Sequence, residues 1–145
     1  MTGFMQIAFQ QAEAAALRGE VPVGAVLVRD GAVIAAAGNR VEELSDPTAH
    51  AEMLAIRAAA AGTGGRLDGC DLYVTLEPCP MCAAAIALAH VRRLYFAAYD
   101  PKGGGVEHGP RVFGHSTCHH RPDVYGGIEE RRAAEMLRRF FQARR

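Results

Sequence analysis

The residues best suited to chemistry lie in two short segments, His50-Ala51-Glu52 and Pro78-Cys79-Pro80-Met81-Cys82. One imidazole and two thiolates form a ligand set typical of zinc, and three protein ligands leave the fourth tetrahedral position to water. Zinc lowers the pKa of a bound water from about 16 towards about 7, which produces a nucleophile near neutral pH. The remaining carboxylate, Glu52, is the candidate base for the proton of that water. The two segments therefore predict an open, catalytic zinc site.

Two other roles of the cysteines are weaker hypotheses. A structural zinc site needs four protein ligands, and the nearest further candidates are Cys118-His119-His120. A redox pair of the thioredoxin type would need only Cys79 and Cys82. Either role would leave His50 and Glu52 without a function, so we favour His50, Cys79 and Cys82 as the zinc ligands.

Composition limits the class of protein. The chain has 145 residues, of which 50% are hydrophobic, and this fits a single zinc-dependent domain spanning residues 1–145. The N-terminus lacks the features of a secretory signal, and no stretch approaches the roughly 18 apolar residues that a membrane span requires. We therefore expect a cytoplasmic protein that makes no use of a membrane. Thiols stay reduced in that compartment, so Cys70 and Cys118 are expected to be small buried residues rather than disulfide partners.

The charges are unevenly distributed although their sum is zero. Residues 1–90 carry 5 arginines against 10 acidic residues, whereas residues 91–145 carry 10 arginines and Lys102 against 6 acidic residues. A basic second half is expected of a protein with a polyanionic partner, and equally of one with arginine-rich, solvated helix faces. The charge pattern leaves both interpretations open.

The first half of the chain predicts a helix, a hairpin and a second helix. Apolar residues near the helical period indicate a first helix that ends at Glu20-Val21-Pro22. Asp30-Gly31 between two apolar runs predicts an antiparallel hairpin. A polar loop containing Asn39 follows, and Asp46-Pro47-Thr48 is predicted to cap and open the helix that carries Glu52.

The second half predicts a crossover. Pro80 opens a helix between two apolar strands, at residues 72–75 and 91–96. This alternation implies a partly parallel sheet that helices cover on both faces. Residues 100–127 are rich in Gly, Pro and His and predict mostly loop with one short strand or helix, before a final helix with an apolar stripe and many arginines.

The spacing of His50 and Glu52 imposes a geometric condition. Residues i and i+2 in the middle of a helix point in nearly opposite directions, so these two side chains can face one site only at the N-terminal end of a helix. The cysteines also lie at a predicted helix start. We therefore expect two helix N-termini to meet across the metal.

Together the motifs resemble the H-x-E and P-C-x-x-C signature of the cytidine and deoxycytidylate deaminase superfamily. More narrowly, the chain resembles the bacterial tRNA-specific adenosine deaminases, which convert the wobble adenosine of an anticodon to inosine. The similarity covers nearly the whole chain and is weakest over residues 104–125. Besides the two motifs, the segments that carry it are Glu20-Val21-Pro22-Val23-Gly24-Ala25-Val26, Gly38-Asn39-Arg40, Asp46-Pro47-Thr48-Ala49, Leu72-Tyr73-Val74-Thr75-Leu76-Glu77, Asp100-Pro101-Lys102-Gly103 and Phe140-Phe141.

The resemblance implies a three-layer α/β/α fold of the cytidine-deaminase type, with a central mixed sheet of about five strands and helices on both faces. It implies one zinc ion per subunit, held by His50, Cys79 and Cys82, and a proton-shuttle role for Glu52.

For substrate binding, the resemblance implies that Asn39 hydrogen-bonds the flipped nucleotide, although asparagine is also a common turn residue after a glycine. It places Asp100 and Lys102 beside the neighbouring nucleotides. It further implies a tRNA anticodon stem-loop as partner, a C-terminal helix close to that RNA with at least one of Phe140 and Phe141 in the core, and a homodimer.

Three functions follow as hypotheses. The first is deamination of the wobble adenosine in tRNA. The second is deamination of a free base or nucleotide of the guanine or cytosine type, which needs the same zinc chemistry but no basic surface. The third is a non-catalytic, zinc-stabilised binding module, in which Glu52 would have no role in turnover.

Overall fold

The computed structural model describes residues 2–144. The helices are α1 (Thr2–Leu17), α2 (Val41–Leu44), α3 (Ala51–Thr63), α4 (Pro80–Leu88) and α5 (Glu130–Gln142). The strands are β1 (Gly24–Arg29), β2 (Ala32–Gly38), β3 (Cys70–Leu76), β4 (Arg93–Ala98) and β5 (Asp123–Tyr125).

The five strands form one mixed sheet in the order β2-β1-β3-β4-β5. β1 is antiparallel to both β2 and β3, whereas β3, β4 and β5 run parallel to one another. The crossover through α4 produces the parallel β3–β4 pair, because a helix returns the chain to the edge from which the first strand started. The carboxyl ends of β3 and β4 therefore lie side by side, and the segments that leave them, at Glu77 and at Asp100, are neighbours.

Helices cover both faces of this sheet. On one face α3 and α4 pack against alternate strand residues such as Leu72, Val74 and Phe96. On the other face α1 and α5 pack against Val26 and Tyr73. β3 is buried along nearly its whole length, as expected of a central strand covered on both sides. The predicted three-layer α/β/α fold with a five-stranded mixed sheet is confirmed.

Two paired glycines let α1 lie directly on the ends of β1 and β2. Gly24 and Gly38 are opposite each other in the β1–β2 register. A Cβ at Gly38 would lie 2.7 Å from the backbone oxygen of Gln11, and a Cβ at Gly24 would overlap the backbone oxygen of Ala8. Only residues without a side chain permit this close approach. Asn39, which lines the site described below, directly follows β2.

The prediction that Asp46 caps the helix of Glu52 was wrong. α3 begins at Ala51, and His50 is its N-cap residue. The Asp46 carboxylate instead accepts hydrogen bonds from the Thr48 N–H at 2.9 Å and from the Thr48 hydroxyl at 2.7 Å. Asp-Pro-Thr thus forms a local turn, because a short acidic side chain serves an Asx turn as readily as an N-cap.

Other differences from the sequence predictions are small. The polar loop around Asn39 contains the four-residue helix α2, which was not predicted. Residues 100–127 are mostly irregular, as predicted, and contain the 3₁₀ turn Val112–Gly114 as well as β5. Cys70 is fully buried as expected, but Cys118 is only partly buried. Among residues 2–144, no helix combines the length and apolar character that a membrane span requires.

Candidate active site

Two helix N-termini meet at the site, as the sequence predicts. His50 is the N-cap of α3, with φ −73° and ψ 151°. Cys79 is the N-cap of α4, with φ −70° and ψ 171°. Both cap residues have extended rather than helical backbone, so their side chains project from the helix tips and not from the helix sides. This conformation removes the geometric conflict between His50 and Glu52.

The three predicted zinc ligands converge on one point. His50 Nδ1 lies 3.6 Å from Cys79 Sγ and 3.5 Å from Cys82 Sγ. All three ligand atoms lie within 4.8 Å of one another. Zn–S bonds of about 2.3 Å and Zn–N bonds of about 2.0 Å at a tetrahedral angle separate N from S by about 3.5 Å. The donor set and its spacing therefore fit a tetrahedral zinc ion with one position left for a non-protein ligand.

The titration of these groups reflects the close approach of their donor atoms. The hydrogen bond from the Cys82 thiol lowers the pKa of Cys79 to about 4. The same bond, followed by burial, raises the pKa of Cys82. The hydrogen bond with Cys79 raises the pKa of His50. The three groups therefore share protons where their donor atoms meet, and a divalent cation can replace those protons.

Glu52 lies beside this point in the first turn of α3 and is only 4% exposed. Burial raises the pKa of Glu52 to about 7, against the opposing effects of its own backbone N–H and of His50. A carboxyl group with a pKa near neutrality can both accept and return a proton at physiological pH. Its position and its titration thus suit a proton shuttle.

His50, Glu52 and Cys79 line a cleft of about 710 Å³, which is large enough for a nucleoside. The cleft also has apolar and charged walls from distant parts of the chain. Its lining residues include Val21, Val23, Asn39, His50, Glu52, Leu76, Cys79, Asp100, Gly103, Phe140, Phe141 and Arg144.

Asn39 lies in the cleft, and the oxygen of its side-chain amide is already hydrogen-bonded within the protein. Its Oδ1 accepts a hydrogen bond of 2.8 Å from the N–H of Ala51, at the first turn of α3. Within residues 2–144, its Nδ2 group donates no hydrogen bond that satisfies normal geometry. Asn39 therefore holds the tip of the helix that carries Glu52 and keeps a donor for a ligand in the cleft.

Asp100 and Lys102 are placed differently from each other. Asp100 lines the cleft, but its Oδ1 accepts the N–H groups of Lys102 at 3.2 Å and Gly103 at 2.9 Å. Lys102 is exposed and is not among the residues that line the cleft. The structure thus brings Asn39 and Asp100 to the site and leaves the Lys102 side chain outside it.

The end of α5 forms one wall of the cleft. Phe140 is 8% exposed and belongs to the core, whereas Phe141 is 47% exposed, so the expectation of at least one core phenylalanine is confirmed. The Arg144 guanidinium lies 3.6 Å from the centre of the Phe140 ring. An exposed aromatic ring and a cation stacked on a second ring form a surface suited to nucleobases and phosphates.

The alternative ligands Cys118, His119 and His120 lie elsewhere, around a separate cavity of about 430 Å³. The Cys118 thiol donates to the backbone oxygen of His120 at 3.1 Å, and His120 Nε2 donates to the backbone oxygen of Val91 at 2.6 Å. In the described part of the chain, His50, Cys79 and Cys82 form the only group of three with ligand atoms close enough for one ion. The geometry therefore does not support a structural zinc site at Cys118.

Two buried glutamates were not recognised from the sequence as functional. Glu20 is 2% exposed and accepts the N–H groups of Glu42 at 3.1 Å and Glu43 at 2.8 Å, at the start of α2. Glu77 is also 2% exposed and binds residues after β4. Each carboxylate thus ties a loop to the wall of the cleft. The available signal was an acidic residue directly beside apolar and proline residues, since a buried charge needs dedicated partners.

The titration of Glu77 reflects those partners. Burial by itself would raise the pKa of Glu77, but hydrogen bonds from the Asp100 N–H, the His108 imidazole and further backbone N–H groups outweigh it. The pKa of Glu77 is consequently held below its ordinary value. Glu77 is a carboxylate at neutral pH.

Comparisons with known proteins agree with this geometry. Residues 2–98 match the family described as the cytidine and deoxycytidylate deaminase zinc-binding region. A tRNA-specific adenosine deaminase from Agrobacterium fabrum is 59% identical over 145 residues, which cover 99% of this chain and 95% of the relative.

Solved structures show the same relationship. One structure, from a study of A-to-I editing by tRNA:A34 deaminases, is 59% identical with a TM-score of 0.92 and covers 94% of this chain and 100% of that one. A guanine deaminase from Bacillus subtilis is 44% identical with a TM-score of 0.64 and covers 68% of this chain and 64% of that one. The chain belongs to the cytidine and deoxycytidylate deaminase family and, within it, to the tRNA-specific adenosine deaminases.

Proposed function

We propose that this protein hydrolyses the wobble adenosine of a tRNA anticodon to inosine and ammonia, with His50, Cys79 and Cys82 holding one zinc ion. The observation that carries the proposal is the convergence of those three donor atoms beside the buried Glu52, in a chain 59% identical to a tRNA-specific adenosine deaminase. A zinc ion in this site supplies an activated water, because coordination lowers the pKa of water to about 7.

Glu52 moves the protons of the reaction. Its carboxylate accepts a proton from the attacking water and delivers it to the purine ring while the C–O bond forms at C6. Glu52 next carries the second proton of that water from the new C6 hydroxyl to the amino group. The C6–N bond then breaks and ammonia leaves, so one water is consumed for each ammonia released. Burial of Glu52 keeps its pKa near 7, and both transfers can therefore occur at neutral pH.

Asn39 positions the substrate base through its free Nδ2 group. Asn39→Asp tests this role, because aspartate keeps the acceptor for the Ala51 N–H and replaces the donor in the cleft by an acceptor. We expect a folded protein and a KM raised about tenfold or more, as for loss of a hydrogen bond to the substrate. Steady-state kinetics and thermal unfolding of both proteins provide the measurement. Loss of stability at an unchanged KM would show that Asn39 only holds the start of α3 and does not bind the substrate.

The RNA binds across the wall formed by the end of α5. Phe141 is exposed and Arg144 stacks on Phe140 in the cleft wall, so a base neighbouring the target can stack there while cations bind phosphates.

We extend the proposal to a cytoplasmic homodimer, which rests on the resemblance to the family. Sedimentation of the purified protein measures the oligomeric state.

The function is tested with an anticodon stem-loop that bears a wobble adenosine. Zinc-loaded protein should convert that adenosine to inosine, whereas a stem-loop with adenosine only in its paired stem should remain unchanged, because a paired base is costly to extrude. Free guanine, cytosine and cytidine form the comparison panel for the alternative deaminase activities. Turnover of one of these compounds without inosine in the stem-loop would replace the proposed function by the free-base alternative.

A further inference from the structure

We propose that Glu77 is a positioning residue, whose buried carboxylate holds residues 100–108 in the shape that lines the substrate cleft. We refer to residues 100–108 as the Glu77 loop. This inference rests on the proposed function, because it assigns Glu77 to the binding of the RNA substrate and not to the chemical step.

Five donors converge on the Glu77 carboxylate. Oε1 accepts the Asp100 N–H at 3.0 Å and the His108 Nδ1–H at 2.8 Å. Oε2 accepts the N–H groups of Val106 at 3.2 Å, Glu107 at 2.8 Å and His108 at 3.1 Å. The side chain of Glu77 has an exposed fraction of 0%. One buried group therefore binds both ends of the Glu77 loop, and a fully satisfied buried network of this kind is rigid.

The middle of the Glu77 loop packs against the same group and against the start of α4. A Cβ at Gly104 would lie 2.5 Å from the carboxyl carbon of Glu77, and a Cβ at Gly105 would lie 2.6 Å from Cα of Pro80. The Gly105 N–H also donates to the backbone oxygen of Pro78 at 2.8 Å. The Glu77 loop is thus wrapped around the carboxylate with no room for a side chain at Gly104.

The connection to substrate runs through Asp100. Asp100 and Gly103 line the cleft, and the Asp100 side chain is occupied by the N–H groups of its own turn. The bond from the Asp100 N–H to Glu77 Oε1 therefore sets where this turn lies relative to His50 and Glu52. Displacing the turn changes the shape of the binding surface but leaves the zinc ligands and the proton shuttle in place.

Glu77→Gln should remove one of these hydrogen bonds and keep the others. The three N–H groups at Oε2 require an acceptor, so the glutamine oxygen takes that position and its NH₂ faces Asp100 and His108. The His108 imidazole can accept from this NH₂ by changing tautomer, whereas the Asp100 N–H cannot. The variant consequently loses the bond at the cleft and keeps the bonds to residues 106–108.

We expect Glu77→Gln to bind one zinc per chain, to raise the KM for the stem-loop about tenfold and to change kcat less than about threefold. Gly104→Ala approaches the same contact from the loop side, without altering the residue two positions before Cys79, and should raise KM similarly. Asp71→Asn is the matched control. Asp71 is a buried acid at the other end of β3 and pairs with Arg92 at 2.9 Å, so its loss should lower the thermal midpoint without changing KM.

Amide hydrogen exchange gives a readout that does not depend on activity. In Glu77→Gln the Asp100 amide should exchange faster than in the wild type, while the amides of residues 106–108 keep their protection. An unchanged KM in both variants, or a fall in kcat accompanied by loss of zinc, would overturn the proposal. If the wild type itself forms no inosine, the proposed function fails, whereas an altered exchange at Asp100 still shows that Glu77 holds the loop.

Discussion

Glu52→Ala is expected to abolish deamination while zinc binding and folding remain. The buried carboxylate contributes no ligand to the His50, Cys79 and Cys82 group, but in the proposed mechanism it transfers protons both before and after the attack on C6. Loss of a positioned general acid and base typically costs about a hundredfold to ten-thousandfold in rate, and we expect kcat to fall at least about a thousandfold. Single-turnover assays on the stem-loop, together with zinc analysis of the same preparation, measure both quantities.

Two further variants sharpen the Glu52 experiment. Glu52→Gln keeps the size and polarity of the side chain but cannot accept the proton, so it should be as inactive as the alanine variant. Asp30→Asn removes an exposed acid in the β1–β2 turn and should retain wild-type turnover. Turnover within about tenfold of the wild type in zinc-loaded Glu52→Gln would contradict the proton-shuttle role and favour the non-catalytic zinc module.

Cys82→Ala is expected to remove both the metal and the activity. Cys82 is fully buried, and its Sγ lies 3.5 Å from His50 Nδ1, so its loss leaves two ligands for a site that needs three. Zinc content should fall to near zero, and kcat/KM should fall by more than about a thousandfold, because metal activation of water supplies several kcal/mol. Metal analysis and the stem-loop assay measure the two effects.

Cys70→Ala is the control for the metal experiment. Cys70 is equally buried, in β3, but lies outside the ligand group, so its variant should keep one zinc per chain and near wild-type turnover. Chelation of the wild-type protein should reproduce the Cys82→Ala result and should also lower the thermal midpoint, because bound metal stabilises the folded state. Full activity of the chelated, zinc-free protein would refute the zinc assignment.

Local patterns were sufficient to predict most of the elements. The helical period in α1, the Asp-Gly turn between β1 and β2, and Pro80 at the start of α4 each act within a few residues, so the sequence displays them directly. At Asp46 the local pattern gave a wrong prediction, because a short carboxylate can either cap a helix or close a turn. Tertiary contacts decided between the two, since Asn39 binds the N–H of Ala51 and thereby fixes the tip of α3.

For the site, too, some features could be predicted from the sequence and others could not. The types and order of His50, Glu52, Cys79 and Cys82 predicted that two helix tips meet, because ligand chemistry and helix geometry restrict such residues to few arrangements. The roles of Glu77 and of the Asp100 turn were not predictable, since both depend on hydrogen bonds between residues that are 23 or more positions apart.

The sequence by itself thus determined the chemistry that this protein can carry out and the order of the elements that carry it. Only the tertiary structure decided where α3 begins, that Cys118 lies apart from His50, Cys79 and Cys82, and that Glu77 binds the loop beside the cleft. The physical reason is the separation along the chain over which each effect acts. Propensities and ligand types are properties of neighbouring residues, whereas the partner of a buried polar group is set by the packing of distant segments.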